Sequence, residues 1–127
     1  MNDKNTILIC DDERDVCELA KKILVYGGFD AITCSNGKEA LQIIEEKYDT
    51  IALILLDVMM PILSGFSVLE NIKNDGRYKN ILVILFTVKS LSENIRKARE
   101  LHADGYLTKP FSAKGLLKFV KEKLHIV

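Results

Sequence analysis

The sequence has no excess of either charge, which removes one large class of functions. Its 127 residues include 18 lysines and arginines and 18 aspartates and glutamates, so the formal net charge at pH 7 is zero. Association with nucleic-acid phosphates or with an acidic membrane surface is typical of chains with a clear positive excess. We therefore expect neither direct nucleic-acid binding nor membrane-surface binding.

Signals for export and for membrane insertion are also missing. Residues 1–6 are polar and lack the apolar segment of a signal peptide. No apolar run approaches the about 20 residues that span a bilayer. Cys10, Cys17 and Cys34 have no metal-ligand spacing, and they fit buried, reduced thiols better than a disulfide. These absences indicate a cytoplasmic protein.

Internal repeats, low-complexity tracts and interdomain linkers are absent as well. A chain of 127 residues is long enough for one domain with one core and too short for two. Apolar residues make up 48% of it and charged residues 28%, which is ordinary for a soluble globular domain. We expect a single domain over residues 1–127, with a core of about residues 6–125.

What the sequence does contain is organised around a short apolar run that ends in an acid. Residues 51–56 are all apolar, and Asp57 follows them directly. Pro61 and Gly65 then interrupt regular structure. This pattern predicts a strand that is buried on both faces, with Asp57 at its carboxyl end. A carboxylate in that place is costly unless a metal ion or another cation compensates its charge.

Four further runs have strand character, and segments of helical periodicity separate them. The five predicted strands span residues 6–10, 31–34, 51–57, 81–86 and 105–108. Strict alternation of five strands with five helices predicts parallel strands, right-handed crossovers and helices on both faces of the sheet. The predicted fold class is therefore a three-layer α/β fold. Periodicity alone leaves the order of the strands open.

Small and polar residues mark the expected helix boundaries. The buried face of the first helix is predicted to contain Val16, Leu19, Ala20, Ile23 and Leu24. Gly27-Gly28 ends that helix, and Asn36-Gly37 is interpreted as a turn. Ser92 and Ser112 are predicted N-caps of the fourth and fifth helices.

Four of the five strands lead into a charged or reactive residue. Asp11 and Asp12 follow the first strand, and Asp57 ends the third. Thr87 ends the fourth strand, and Lys109 follows the fifth. Because the carboxyl ends of parallel strands share one edge of a sheet, we expect these side chains to converge there.

The chemistry of this set favours an anionic oxygen ligand. Three carboxylates repel one another, and a hard divalent ion such as Mg²⁺ relieves that repulsion because it prefers oxygen ligands. Lys109 adds a positive charge and Thr87 adds a hydroxyl. A phosphoryl group fits best, with Asp57 as a nucleophile that forms an aspartyl phosphate.

Each of these residues alone also has an ordinary interpretation. Asp11 and Asp12 could cap the following helix and favour its dipole. Thr87 could be a strand-end hydroxyl, and Lys109 a solvated surface lysine. Asp57 could belong to a turn. The functional interpretation is favoured because all the residues fall at strand ends of the same polarity.

The strand-end segments closely resemble the receiver domain of two-component response regulators. The matching segments are residues 7–13, 55–61 with Gly65, 86–87 and 103–111, and the resemblance covers the whole chain. It implies a flavodoxin-like fold, with a five-stranded parallel sheet in the order 2-1-3-4-5. It also implies that Asp57 accepts a phosphoryl group from a sensor histidine kinase or a histidine phosphotransfer protein.

The resemblance implies a role for each residue near the phosphoryl group. Asp12 and Asp57 would bind Mg²⁺ (or Mn²⁺) directly, and Asp11 would act through a water molecule. The Met59 backbone carbonyl would add a further metal ligand. Lys109 would pair with the phosphoryl oxygens.

A conformational switch is implied as well. Thr87 would move to hydrogen-bond the phosphoryl group, and Tyr106 would turn inward behind it. The population of the face formed by the fourth helix, fifth strand and fifth helix would shift, and this face would control a downstream protein or an output domain. The resemblance extends to a phosphorylation-linked homodimer through that face.

The sequence departs from the usual receiver pattern at a few positions. Val88 stands where alanine or glycine is usual, and a β-branched residue there narrows the route to Asp57. Met59 and Lys89 occupy the two variable positions that flank the site. Met59 has no group that could orient a hydrolytic water, so we expect slow loss of the phosphoryl group. His102 stands where glycine is common, and we interpret it as a helix-end or surface histidine.

Three other functions compete with this interpretation. An aspartate-nucleophile phosphatase needs a second aspartate where Met59 stands, and also a cap domain for which the chain has no room. A nucleotide- or flavin-binding protein needs glycines in the loop at residues 11–14, which has none. A docking-only receiver would not need the intact residues Asp57, Asp12, Thr87 and Lys109. The sequence fits a free-standing receiver and a piece of a longer regulator equally well, and it identifies no kinase, output or pathway.

Overall fold

The computed structural model describes residues 4–87 and 92–126, and it places five parallel strands in one sheet in the order β2-β1-β3-β4-β5. The strands are β1 (Thr6–Cys10), β2 (Asp30–Cys34), β3 (Ile51–Asp57), β4 (Leu82–Thr87) and β5 (Gly105–Thr108). The helices are α1 (Arg14–Tyr26), α2 (Gly37–Lys47), α3 (Gly65–Lys73), α4 (Ser92–Glu100) and α5 (Ala113–Lys123). A short 3₁₀ turn at Gly76–Tyr78 precedes β4. The predicted α/β fold and the strand order implied by the receiver resemblance are both confirmed.

The central strand β3 separates two hydrophobic cores. All seven of its residues are buried, and it pairs with β1 on one side and β4 on the other. Alternate side chains point to opposite faces of the sheet. Leu53 and Leu55 pack with α1 and α5, whereas Ile54 and Leu56 pack with α2 and α3. The predicted burial of this strand on both faces is confirmed, and it holds Asp57 at a fixed point.

The predicted buried face of α1 is wrong at Leu19. Cys17, Ala20, Ile23 and Leu24 are buried, whereas Leu19 is 51% exposed. At about 100° per residue, Leu19 falls just outside the arc that these side chains occupy. Cys17, on the opposite border of the arc, is buried instead. Leu19 shares the helical spacing of the buried residues, but it falls at the edge of the stripe that meets the sheet and is left in solvent.

The expected helix boundaries are partly confirmed. The Ser112 hydroxyl accepts a hydrogen bond from the Gly115 N–H at 2.9 Å, so Ser112 caps α5 as predicted. Helix α1 ends at Tyr26, before Gly27-Gly28, also as predicted. Asn36 is not merely a turn residue, because its side chain accepts the Glu39 N–H at 2.8 Å and caps α2. The side chain of Ser92 lies outside the described residues.

The state of the cysteines and the lengths of the helices are as expected from the sequence. Cys10, Cys17 and Cys34 are free thiols, and all three are buried. Among the helices in the described part of the chain, none combines the length and the apolar character needed to cross a bilayer.

His102 ends α4 in a left-handed backbone conformation. Its φ angle is +64°, and its side chain is exposed. The His102 N–H donates to the Arg99 carbonyl at 3.1 Å, and the Ala103 N–H donates to the Ala98 carbonyl at 3.0 Å. These bonds satisfy the last carbonyls of the helix, a role that glycine fills with the least strain. The helix-end interpretation of His102 is confirmed.

Replacing His102 with glycine is expected to stabilise the protein. The change removes the strain of a side chain at positive φ, and part of that gain is offset by greater freedom of the unfolded chain. We expect a net increase of roughly 0.5 kcal/mol in the free energy of unfolding, measured by urea denaturation. As a matched control, Arg99→Gly in the exposed last turn of α4 should destabilise by up to about 1 kcal/mol. Equal destabilisation by both changes would contradict this account.

Candidate functional site

Asp57 lies at the carboxyl end of β3 and is almost fully buried. Its residue exposure is 5%, and its Oδ1 accepts a hydrogen bond from the Met59 N–H at 3.3 Å. Gly65 begins α3 directly against this strand end, where a Cβ atom would collide with the Asp57 carbonyl oxygen. The Gly65 N–H donates to the Val58 carbonyl at 3.0 Å. Glycine at this position therefore lets α3 close onto the strand end that carries the acid.

Asp11 combines a structural role with a place in the site. Its Oδ1 accepts the Glu13 N–H at 2.9 Å, which shapes the entry to α1. Its Oδ2 accepts a hydrogen bond from Lys109 Nζ at 2.6 Å, and the residue is 1% exposed. Asp11 therefore has two roles, because it shapes the start of the helix and also binds the buried lysine. Asp12, its neighbour, is exposed.

Three carboxylates converge at this edge of the sheet. Asp11, Asp12 and Asp57 each place one oxygen so that all three atoms lie within 4.8 Å of one another. Two of the three residues are buried, so solvent screens their mutual repulsion weakly. Closely spaced carboxylate oxygens with one solvent-facing member are a donor set that suits a hard divalent cation. The cluster could therefore hold a metal ion.

Lys109 is buried among the acids rather than solvated. Only 6% of its side chain is exposed, and Nζ lies 2.6 Å from Asp11 Oδ2, 3.5 Å from Glu13 Oε1 and 3.8 Å from Asp57 Oδ1. Nζ also lies 5.1 Å from the centroid of the Phe86 ring. Burial alone would lower the pKa of Lys109, but the hydrogen bond to Asp11 and the charges of Asp57 and Glu13 outweigh it and raise the pKa. This lysine is therefore a fixed positive charge.

The positive charge of Lys109 does not balance the negative charges of the nearby carboxylates. The pKa of Asp57 is raised to about 7, chiefly by burial and then by the negative charge of Asp11. The charge of Lys109 and the Met59 N–H act in the opposite direction. Asp57 therefore shares a site with more negative than positive charge, and an added cation would favour its ionised form.

The remaining predicted site residues are placed less completely. Thr87 ends β4 and pairs with Thr108, but its side chain lies outside the described residues, as do Val88 and Lys89. Tyr106 is half-buried in β5 and borders a cavity of about 180 Å³ that α4 also lines. Met59 is 75% exposed, and its N–H contacts Asp57 Oδ1.

Sequence reasoning missed three features of the site. Glu13 lies within 3.5 Å of Lys109, although nothing in the sequence singled it out from the first turn of a helix. The Phe86 ring lies near Lys109 Nζ, whereas the sequence predicts Phe86 only as part of the fourth strand and of a matching segment. Ile62, in the loop after Asp57, is 77% exposed and has a φ angle of +71°, which is rare for a β-branched residue. No local sequence signal marks these three features.

Fold and site together define a class of protein. A five-stranded parallel sheet in this order, wound on both sides by helices, is the flavodoxin-like fold. Its carboxyl edge carries an acidic cluster and a buried lysine, where open α/β sheets bind their ligands. The class is thus an α/β domain with a candidate cation- and anion-binding site at that edge.

Comparison with known families identifies the chain within that class. The family model described as "Response regulator receiver domain" matches residues 7–121. The chain therefore belongs to the response regulator receiver domain family, as the sequence resemblance indicated. Helices and strands throughout the described chain agree with this assignment.

Curated relatives match this chain over about half of their own length. The "Transcriptional regulatory protein CpxR homolog" of Haemophilus influenzae is 37% identical over 115 residues, which cover 91% of this chain and 48% of the relative. The "Phosphate regulon transcriptional regulatory protein PhoB" of Pseudomonas aeruginosa is 34% identical over 119 residues, covering 94% and 51%.

Solved structures match along most of both chains. The chemotaxis response regulator CheY4 of Vibrio cholerae superposes with a TM-score of 0.86 at 25% identity, covering 93% of this chain and 97% of that chain. The signal receiver domain of a signal transduction histidine kinase from Syntrophus aciditrophicus superposes with a TM-score of 0.86 at 30% identity, covering 95% and 90%.

The raised pKa of Asp57 predicts a pH-dependent loss of stability in metal-free buffer. Between its ordinary value of 3.8 and the folded value of about 7, the unfolded chain releases this proton while the folded chain retains it. Stability therefore falls as pH rises through this window, and the deficit persists above it. Asp57→Asn should remove this pH dependence. Between pH 4.5 and about pH 7.5, the free energy of unfolding of the variant should therefore rise by on the order of 2 kcal/mol relative to that of the native protein.

Urea unfolding at both pH values, with a chelator present, measures this difference. Asp49→Asn, at an exposed aspartate, is the matched control and should track the native protein. A pH-independent difference between native protein and Asp57→Asn would refute the assignment of the raised pKa to Asp57.

Proposed function

We propose that Asp57 accepts a phosphoryl group from a sensor histidine kinase or a histidine phosphotransfer protein, in a Mg²⁺-dependent reaction. The observation that supports this most strongly is the buried carboxylate of Asp57, with Lys109 Nζ 3.8 Å away and oxygens of Asp11 and Asp12 within 4.8 Å. Membership of the receiver family supports the same chemistry. The domain is a phosphoacceptor module over the whole chain and not a conventional enzyme.

Residues of this chain supply the nucleophile and the fixed charges. A carboxylate oxygen of Asp57 forms the new bond to phosphorus, while the bond from phosphorus to the donor histidine nitrogen breaks and leaves its electron pair on nitrogen. Mg²⁺ (or Mn²⁺), held directly by Asp12, Asp57 and the Met59 backbone carbonyl and through a water molecule by Asp11, would offset the repulsion between the carboxylates and the incoming phosphoryl oxygens.

Lys109 stabilises the charge that arrives with the phosphoryl group. Its bond to Asp11 holds Nζ in place, and the 3.8 Å to Asp57 Oδ1 leaves it close enough to pair with an oxygen of the phosphoryl group. A lysine has three donor hydrogens, so it can keep Asp11 and gain the new partner together. Because the side chain is buried, little of this attraction is lost to solvent.

The output is a population shift of the face formed by α4, β5 and α5. Thr87 at the end of β4 would follow the phosphoryl group, and Tyr106 on the neighbouring strand would turn inward. The cavity of about 180 Å³ beside Tyr106 supports this proposal because it offers room between β5 and α4. The shifted face would then control a downstream protein, an output domain or a phosphorylation-linked homodimer. The names of the relatives describe transcriptional regulators, which supports an output of that kind in a cytoplasmic regulator.

Two other functions fit the site less well. An aspartate-nucleophile phosphatase requires a general acid two residues after the nucleophile, and the exposed thioether of Met59 supplies none. A docking-only receiver has no need to bury Lys109 against Asp11 and Asp57.

Phosphorylation of Asp57 is tested directly by intact mass after incubation with acetyl phosphate and Mg²⁺. We expect one phosphoryl adduct on the native protein, none on Asp57→Ala and none when a chelator replaces Mg²⁺. Asp49→Ala is the matched control and should be modified like the native protein. An adduct that persists in Asp57→Ala, or that forms without a divalent ion, would contradict the proposed site. If acetyl phosphate gives no adduct, a phosphohistidine donor must give one for the proposal to stand.

The side chain of Met59 predicts a long-lived phosphoryl group. It is exposed beside Asp57 and has no polar atom to orient water, so Met59→Asn should accelerate hydrolysis about three- to tenfold, below the full contribution of a general base. Val88→Ala should accelerate it further by widening access. Ile62→Asn is the matched control in the same loop, with a similarly exposed side chain, and should decay at the native rate. Equal decay of the native protein and Met59→Asn would contradict the role of Met59.

A further inference from the structure

Two cysteines lie side by side at the carboxyl edge of the sheet. Cys10 ends β1 and Cys34 ends β2, and the two residues are direct partners in the parallel register of these strands. Both pack into the hydrophobic cluster that α2 and α3 cover, so their side chains leave the sheet on the same face. Burial raises the pKa of the Cys10 thiol, and interaction with the Cys34 thiol raises it further. The two sulfur atoms are therefore close neighbours.

The placement of these partners meets the requirement for a disulfide bond. Neighbouring strands of a sheet lie about 4.8 Å apart, and disulfide-bonded residues usually have Cα atoms about 4.4–6.8 Å apart. Paired residues on adjacent strands, with side chains on one face, fall inside that range. Both thiols are free in the structure, so the sheet holds a reduced pair within bonding range.

The third cysteine has a different environment. Cys17 lies on α1 and packs into the hydrophobic cluster on the opposite face of the sheet. Its Sγ donates to the Asp11 carbonyl at 3.3 Å and also lies 3.8 Å from the Cys34 carbonyl oxygen. These contacts direct the Cys17 thiol toward backbone oxygens. We therefore expect Cys17 to remain a thiol when Cys10 and Cys34 react.

A small molecule can reach the pair through Cys34. This residue borders a cavity of about 270 Å³ beside Asp12 and Ser35, whereas Cys10 lies behind it with no exposed surface. The cavity is several times larger than the roughly 30 Å³ that one water molecule occupies in the liquid, so it admits hydrogen peroxide. A small oxidant would therefore meet Cys34 first and Cys10 second.

We propose that Cys10 and Cys34 form a redox-sensitive dithiol that hydrogen peroxide converts into an intramolecular disulfide. The Cys34 sulfur attacks one peroxide oxygen, the O–O bond breaks, and the second oxygen leaves with the thiol proton as water. The product is a sulfenic acid at Cys34. The Cys10 sulfur then attacks the Cys34 sulfur, and the hydroxyl group leaves with the Cys10 proton as a second water. Two electrons pass from the sulfur pair to the peroxide oxygens.

The disulfide would join β1 to β2 directly before Asp11. The Asp11 N–H already donates to the Cys34 carbonyl at 3.1 Å, so the covalent link would lie beside an existing hydrogen bond. It would also close a loop from Cys10 to Cys34 that contains the whole of α1. Such a closure restricts the unfolded chain, so oxidation should stabilise the fold. The proposal goes beyond the proposed function, because no step involves Asp57.

Peptide mapping after oxidation tests the proposal. Folded native protein is treated with hydrogen peroxide, denatured, alkylated with iodoacetamide and digested with trypsin. Trypsin cuts after lysine and arginine, which places the three cysteines in separate peptides, residues 5–14, 15–21 and 23–38. We expect a disulfide between the first and third peptides, while the second carries the alkyl group. Reduction with dithiothreitol before alkylation should give three alkylated peptides.

Cysteine variants identify the partners. Cys17→Ala is the matched control and should form the disulfide like the native protein, whereas Cys10→Ala and Cys34→Ala should form none within the chain. Oxidation should raise the urea midpoint of the native protein and of Cys17→Ala by on the order of 1 M and leave that of Cys34→Ala unchanged. Circular dichroism before oxidation shows whether each variant is folded. If a variant does not fold, the peptide map of the native protein decides.

Four outcomes would overturn the proposal. They are three alkylated cysteines after an exposure that oxidises the urea-unfolded chain, a crosslink that includes the peptide of Cys17, a sulfinic acid at Cys34 without a crosslink, and a disulfide between two copies of the chain on a non-reducing gel. Failure of Asp57 to accept a phosphoryl group would leave the dithiol unaffected, so the two proposals fail separately.

Discussion

The hydrogen bond between Lys109 and Asp11 is the interaction on which the site depends. At 2.6 Å and almost without solvent, it joins the end of β5 to the end of β1 across β3 and β4. A buried charge without a partner would be costly, so each of these residues requires the other. The pair is also insufficient, since Asp57 adds a second buried carboxylate and its pKa rises to about 7. The domain thus folds around a charge imbalance that a bound cation would correct.

That imbalance is sustained by the rigidity of the strands that carry it. Asp57 cannot move away from Asp11, because β3 is buried along its whole length and Gly65 brings α3 against the strand end. If these strands could shift, the carboxylates would move apart and become solvated. Here the backbone positions are determined by packing that has nothing to do with charge. The packing of one sheet therefore determines both the burial of the core and the close approach of the charged side chains.

The parts that could be predicted from sequence are those that depend on hydrophobic runs and on strand polarity. The β3 run forms a buried strand as predicted, and parallel polarity was enough to predict that Asp11, Asp57 and Lys109 would meet. The strand order came from the resemblance, because periodicity has no information on neighbours. The prediction for Leu19 is wrong because helical spacing does not reveal how wide an arc of the helix the sheet covers. Glu13 and the capping role of Asn36 depend on side-chain conformations that no pattern encodes.

Helix α5 shows how one element can serve two surfaces. Leu116 and Val120 are fully buried against the sheet and fix the helix in place. On one side of this buried stripe Leu117 and Lys114 face α1, and on the other side Phe119 and Lys118 face the region of Tyr106. A change in the packing of Tyr106 reaches the second side directly but must cross the buried stripe to reach the first. Because a close-packed stripe resists such a shift, the side of α5 that faces α1 is expected to keep its packing while the opposite face changes state.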